Sequence, residues 1–127
     1  MDKREFSQIR SVLEKTQREL AQLLGTSPKA IQSFEQGWRK IPVHTERQVL
    51  FLLALKRPQR NGRRPCWVVR RCSTKIRQNC PAWELHAGHL CWFINGTICQ
   101  GEAQESWQKK MKICRQCEAF RSMLPLL

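Results

Sequence analysis

Acidic residues are scarce in this chain. Asp and Glu total 10 against 23 Lys and Arg, giving a formal charge of +13 and an isoelectric point near 10.1. That imbalance points to polyanionic partners, nucleic acid before acidic membrane. Long apolar runs are missing as well. The longest, residues 49–55, spans seven residues, far below the ~20 that cross a bilayer, so no membrane partner is expected. The opening Met1-Asp2-Lys3-Arg4-Glu5 has no apolar segment behind it. A secretory leader is therefore not expected, and a cytoplasmic location is. Catalytic signatures are lacking too: no phosphate loop, no paired carboxylates, no nucleophile–base motif, and only three His. An enzyme is not expected.

Cysteine is absent from the first 65 residues, and seven crowd the remainder. A secreted disulfide scaffold normally has an even count and a leader. In a reducing compartment, clustered cysteines more often bind metal or carry redox chemistry. The step in composition marks a domain boundary. Residues 56–65 hold five positive charges, two prolines and a glycine, and read as an exposed linker. The expected organisation is a first domain over 1–56, a basic linker over 57–65 and a cysteine-rich domain over 66–127. Residues 1–65 carry 14 basic and 6 acidic side chains, net +8, and residues 66–127 carry 9 and 4, net +5. The first half and the linker therefore hold most of the affinity for polyanions.

That first half reads as short helices joined by tight turns. Phe6, Ile9, Val12 and Leu13 follow a helical period. Thr16-Gln17-Arg18-Glu19 is a capping box that opens a second helix burying Leu20, Ala21 and Leu24 and stopping at Gly25. Ser27 caps a third, with Pro28 at its first position, where a missing N–H costs little. Ala30, Ile31 and Phe34 form its apolar side, and Gly37 ends it. Thr45-Glu46-Arg47-Gln48 repeats the capping-box pattern before the apolar run. Trp38 reads as a cap on the resulting bundle and His44 as a turn residue.

A helix, a turn through Gly25-Thr26-Ser27 and a second helix form a helix-turn-helix, whose second helix can enter a DNA major groove. Residues 16–37 closely resemble the lambda-repressor-like, Cro/XRE family of such motifs. The matching positions are Gln17, the Leu20-Ala21 pair, Gly25, Ile31, Glu35 and Gly37, and the resemblance covers roughly residues 3–57. With Ile31 and Phe34 inward, Pro28, Lys29, Gln32, Ser33 and Gln36 lie on the opposite face. Lys can bond guanine O6/N7, Gln can bridge adenine N6/N7 and Ser pairs with several bases. Lys29, Gln32 and Ser33 are the expected base readers. Pro28 departs from the family's usual polar residue and offers apolar contact only. The resemblance implies a phosphate contact by Gln17, and Thr26, Ser27, Arg39 and Lys40 suit backbone contacts that position without specifying sequence.

The cysteines run Cys66-x5-Cys72-x7-Cys80-x10-Cys91-x7-Cys99-x14-Cys114-x2-Cys117. Only the last pair has the tight spacing typical of a metal site. Asn95-Gly96 between two apolar triplets predicts a type I′ hairpin. Trp107, Met111, Cys114 and Cys117 predict one face of a helix over about residues 102–123, with Lys109, Lys110 and Lys112 on its other side. Cys66-Trp67, Cys80-Pro81-Ala82-Trp83, Cys91-Trp92, Gly96-Thr97-x-Cys99-x-Gly101 and Cys114-x2-Cys117 resemble small cysteine-rich modules of the two-CW type. An iron–sulfur cluster such as [4Fe–4S] needs four thiolates, which seven cysteines can supply. Zinc is the alternative, and seven Cys with His86 or His89 could make two sites. The third possibility is cysteines acting as small core hydrophobes.

The expected fold is mainly α, a lambda-repressor-like helical bundle followed by a small irregular cysteine-rich α+β metal-binding domain. The expected function is a sequence-specific regulator of transcription on double-stranded DNA, redox- or metal-responsive through a cysteine-ligated cofactor. The resemblance and two-fold operators favour a homodimer. The alternative is a small antitoxin or adaptor with a zinc-stabilised protein-interaction tail.

Overall fold

Asp2 caps the first helix, its carboxylate accepting the backbone N–H of Glu5 at 2.8 Å. The computed structural model describes residues 1–56, 66–88 and 90–123, and there the chain is mainly helical. The chain divides into two compact units, Met1–Pro58 and Gln59–Leu127. The expected linker over 57–65 lies outside the described residues, as do His89 and the side chain of Cys66.

The first unit contains α1 (Lys3–Leu13), α2 (Gln17–Leu24), α3 (Pro28–Gln36) and α4 (Val43–Lys56). The Thr16 box forms in full: Thr16 Oγ1 accepts the Glu19 N–H, and the Glu19 carboxylate accepts the Thr16 N–H. Gly25 ends α2 at φ +67°, a left-handed conformation that favours glycine. Two residues later Ser27 Oγ accepts the Ala30 N–H at 3.1 Å and starts α3. That short reversal packs α3 on α2, while α1 packs on both α3 and α4. Phe6, Ile9, Leu20, Ile31, Phe34, Val49, Leu50 and Leu53 close the core. Phe6 meets Phe34 edge to face at 5.7 Å. Each such side chain contributes about 1.5–3 kcal/mol when fully buried.

Three expectations fail here. α4 begins at Val43, not after a cap at Thr45. Thr45 and Glu46 are buried within its first turns, and Glu46 accepts from the Met1 amine, so burial replaces capping. His44 accordingly sits in a helix rather than a turn. Trp38 caps nothing: it is 71% exposed.

The second unit is built from short pieces. They are α5 (Cys66–Val69), α6 (Thr74–Gln78), α7 (Pro81–Glu84), α8 (Cys91–Ile94), α9 (Trp107–Gln116) and α10 (Glu118–Met123). A hairpin of β1 (Ile98–Cys99) and β2 (Glu102–Ala103) lies between α8 and α9, with Cys99 opposite Glu102. The hairpin is not where Asn95-Gly96 predicted it. Residues 91–94 coil into α8, and Asn95 stays in the right-handed helical region. Its side chain is consumed elsewhere: Oδ1 accepts the Ala82 N–H at 2.8 Å and Nδ2 points to Cys80 Sγ at 3.5 Å. The reversal falls instead at Gln100 and Gly101, both at positive φ (52° and 81°), as a type I′ turn requires.

The expected helix over 102–123 is two helices. Ser106 Oγ caps α9, and Cys117, in extended conformation, separates it from α10. Trp92, Trp107, Met111 and Phe120 form the core of this unit. Lys110, expected on the solvent side, is buried among them at 1% exposure.

Candidate functional site

The outward face of α3 carries Pro28, Lys29, Gln32 and Gln36, all exposed, with Ser33 half-buried. Its inward face, Ala30, Ile31 and Phe34, is buried, so the helix cannot rotate without emptying the core. Thr26 and Ser27 are exposed at its start. Arg39 and Lys40 are exposed beyond its end, and the Arg39 guanidinium lies 5.5 Å above the Phe34 ring.

Gln17 is half-buried, and its amide donates to the Glu35 carboxylate at 3.1 Å. Arg10 of α1 grips the same carboxylate with Nε and with Nη2, the latter at 3.1 Å. This bridge between α1, α2 and α3 was not anticipated from sequence, because its members are 25 and 18 residues apart from Glu35.

In the second unit Cys72, Cys80, Cys91, Cys99, Cys114 and Cys117 all line one cavity. They arrive there from five places: the α5–α6 turn, the start of α7, the start of α8, β1, and the end of α9. His86 is exposed and is not among the lining residues. Cys99 also lines an outer cleft with Ile76, Gln100, Glu102, Gln104 and Ile113, so it stands between the cavity and the surface. Among the described residues, no three Cys, His, Asp or Glu side chains are close enough to hold a single metal ion.

The electrostatics are those of a desolvated thiol cluster. Burial pushes the Cys114 thiol up to about 11, and burial raises Cys72 and Cys99 as well. A buried thiolate has lost its water, so the neutral thiol is favoured until a cation replaces that solvation. Lys110 is the cation already present. Its Nζ donates to the Trp92 carbonyl and lies 4.9 Å above the Trp107 ring. Burial lowers its proton affinity, and the neighbouring Cys114, Cys91 and Cys99 work in the opposite direction. Among the described residues no carboxylate forms an ion pair with it.

Trp92 is a further lining residue that sequence reasoning treated only as part of a Cys-Trp repeat. It is 0% exposed, and its indole N–H has no acceptor among the described residues. An unpaired buried N–H costs roughly 1–3 kcal/mol, which an acceptor in the cavity would offset. The cavity thus brings together six sulfur atoms, one buried lysine and one orphaned N–H donor. No protein-family model, curated protein or solved structure matches the chain.

Proposed function

We propose that the chain is a sequence-specific regulator of transcription, not an enzyme, with a lambda-repressor-like, Cro/XRE-type helix-turn-helix in its first unit. The observation that carries this reading is α3. One side of the helix is locked in the core by Ala30, Ile31 and Phe34, and the other offers Lys29 and Gln32 to solvent. Lys29, Gln32 and Ser33 read base edges in the major groove of double-stranded DNA. Thr26, Ser27, Arg39 and Lys40 bind phosphates on either side. Gln17 has two amide N–H groups; one is engaged by Glu35, and the other reaches a phosphate oxygen. The +13 charge of the chain supplies the sequence-independent part of the affinity.

The second unit serves as a sensor that holds a cysteine-ligated cofactor, an iron–sulfur cluster with zinc as the alternative. A cofactor state regulates only if loaded and empty forms differ in operator affinity. The protein acts as a homodimer in the cytoplasm, its two α3 helices meeting half-sites about one DNA turn apart. Among the described residues no helix is long and apolar enough to cross a membrane.

The test is selection of duplexes from a random library by the full chain. Enrichment of one motif with two related half-sites is expected. Recovery of unselected sequence would overturn the reading.

A further inference from the structure

We infer that a second copy of this chain docks on the open apolar groove at the ends of α1, α2 and α4, with Leu55 as the projecting side chain and Glu14 and Lys56 as the charges exchanged across the contact. This rests on the reading of the chain as a homodimer and assigns the surface through which the dimer forms.

The groove is lined by Leu13, Lys15, Leu23, Leu52, Leu55 and Lys56. Leu13 is buried and joins its floor to the core, but two of its leucines stay open to solvent. Leu23 is 47% exposed and Leu55 64%. Leu52 and Leu55 lie one turn apart on α4 and both line the groove, while Leu53 between them is turned into the core. Gln48 of α4 donates its amide to the Leu23 carbonyl at 3.0 Å. That bond ties the end of α2 to α4 and gives the groove fixed walls.

Charge selects the occupant. The first unit carries six carboxylates, and five have tasks inside it. Asp2 caps α1, Glu19 closes the box with Thr16, Glu35 receives Arg10 and Gln17, and Glu46 receives the Met1 amine. Glu5 is half-buried in the first turn of α1, where the helix dipole favours an acid. Glu14 is the sixth. It meets Lys56 at 3.5 Å beside the groove, yet its side chain is 79% exposed, and such exposed pairs contribute little by themselves. Glu14 also ends α1 at φ +56°, a left-handed conformation in which a side chain is strained. That strain is not offset within the monomer.

A nucleic acid does not fit an apolar floor with a carboxylate at its rim. A second copy does. In a two-fold contact every pairing occurs twice, so Glu14 of each copy meets Lys56 of the other, and each Leu55 enters the opposite groove beside Leu23 and Leu52. Residues 1–65 carry a net charge of +8, which drives two first units apart unless an acid sits at the contact itself. A pair locked there also fixes one α3 relative to the other, because α3 packs directly on α2, whose end carries Leu23.

The experiment is sedimentation equilibrium of the full chain without DNA, over micromolar concentrations. The wild-type chain is expected to sediment as a dimer, at twice 15.0 kDa. Leu55→Glu buries an unpaired charge in the contact and weakens association on the order of a hundredfold. Its far-ultraviolet dichroism stays that of the wild type, since Leu55 lies outside the core. Glu14→Lys and Lys56→Glu each set like charges together at both ends of the contact, and each weakens self-association on the order of tenfold. Mixed in equal amounts, these two variants restore opposite charges at both ends and associate with each other at wild-type strength. Only a pair that lies between copies gives that result, because within one chain each variant keeps its own mismatch. A dimer that survives Leu55→Glu overturns the inference and leaves the homodimer to another surface. So does a mixture of the two charge variants that associates no better than either alone. A wild-type chain that stays monomeric gives the groove a different occupant and contradicts the homodimer reading as well, a result distinct from the others.

Discussion

Gln17 donates its side-chain amide to Glu35 at 3.1 Å, tying the first turn of α2 to the last turn of α3. Arg10 holds the same carboxylate from α1. The Glu35 side chain is only 11% exposed, so removing it strands two partly buried donors. Glu35→Ala should lower the stability of the first unit by about 1–3 kcal/mol. Denaturant unfolding followed by far-ultraviolet dichroism measures this. A change within experimental error would mean that apolar packing alone sets the angle of α3.

The capping box offers a local test. Thr16→Ala removes the oxygen that accepts the Glu19 N–H and should cost about 1 kcal/mol in the same unfolding assay. The Glu19 carboxyl is held below its ordinary value, first by the backbone N–H of Thr16. A lowered carboxyl stabilises the fold above its unfolded pKa and ceases to do so as pH falls through its folded value. The difference between wild type and Glu19→Gln, which removes that carboxylate while Thr16 keeps its N–H, should therefore shrink toward acid pH. A difference independent of pH would place the effect elsewhere.

Lys29 and Gln32 are exposed on α3 and contribute nothing to the core. Lys29→Ala or Gln32→Ala should leave stability unchanged and cost about 1–3 kcal/mol on the selected operator, with base preference relaxed at one position. Equilibrium titration against operators altered base by base detects this. Unchanged preference in both variants would remove them as readers.

Metal uptake by the second unit should fall with acidity. The Cys114 thiol sits at about 11, so at neutral pH it carries a proton that any metal must displace. Cys99 is raised in the same direction. Because binding releases protons, affinity rises with pH by about tenfold per unit for each proton released. Iron retained after anaerobic reconstitution with ferrous iron and sulfide, measured from pH 6.5 to 8.5, reports the slope. An affinity that does not vary with pH would mean that the thiols are not the ligands.

The two units were unequally legible. In the first, helix signals are local and agree with one another. Thr16 with Glu19, Ser27 with Pro28, and Gly25 and Gly37 each mark a boundary that the apolar spacing of Leu20, Ala21, Ile31 and Phe34 also demands. The second unit has few local constraints, and long-range contacts overrule them. Asn95-Gly96 carries the strongest hairpin signal in the chain, yet the Asn95 side chain is needed to hold Ala82 and Cys80, and the turn moves to Gln100-Gly101. Lys110 looked like part of a solvated stripe. A lysine reads as buried only when the carbonyl and rings that receive it are known, and Trp92 lies 18 residues away. The cysteine spacing did not show the grouping, since six thiols from separate turns line one cavity only in the folded unit.

The most direct test of the account is a titration of the full chain against its selected operator and a scrambled duplex of equal length, at one salt concentration. If α3 reads bases, the operator binds roughly a thousandfold more tightly than the scrambled duplex. Equal affinity for the two duplexes would leave only the attraction of a basic protein for phosphate, and would contradict the account.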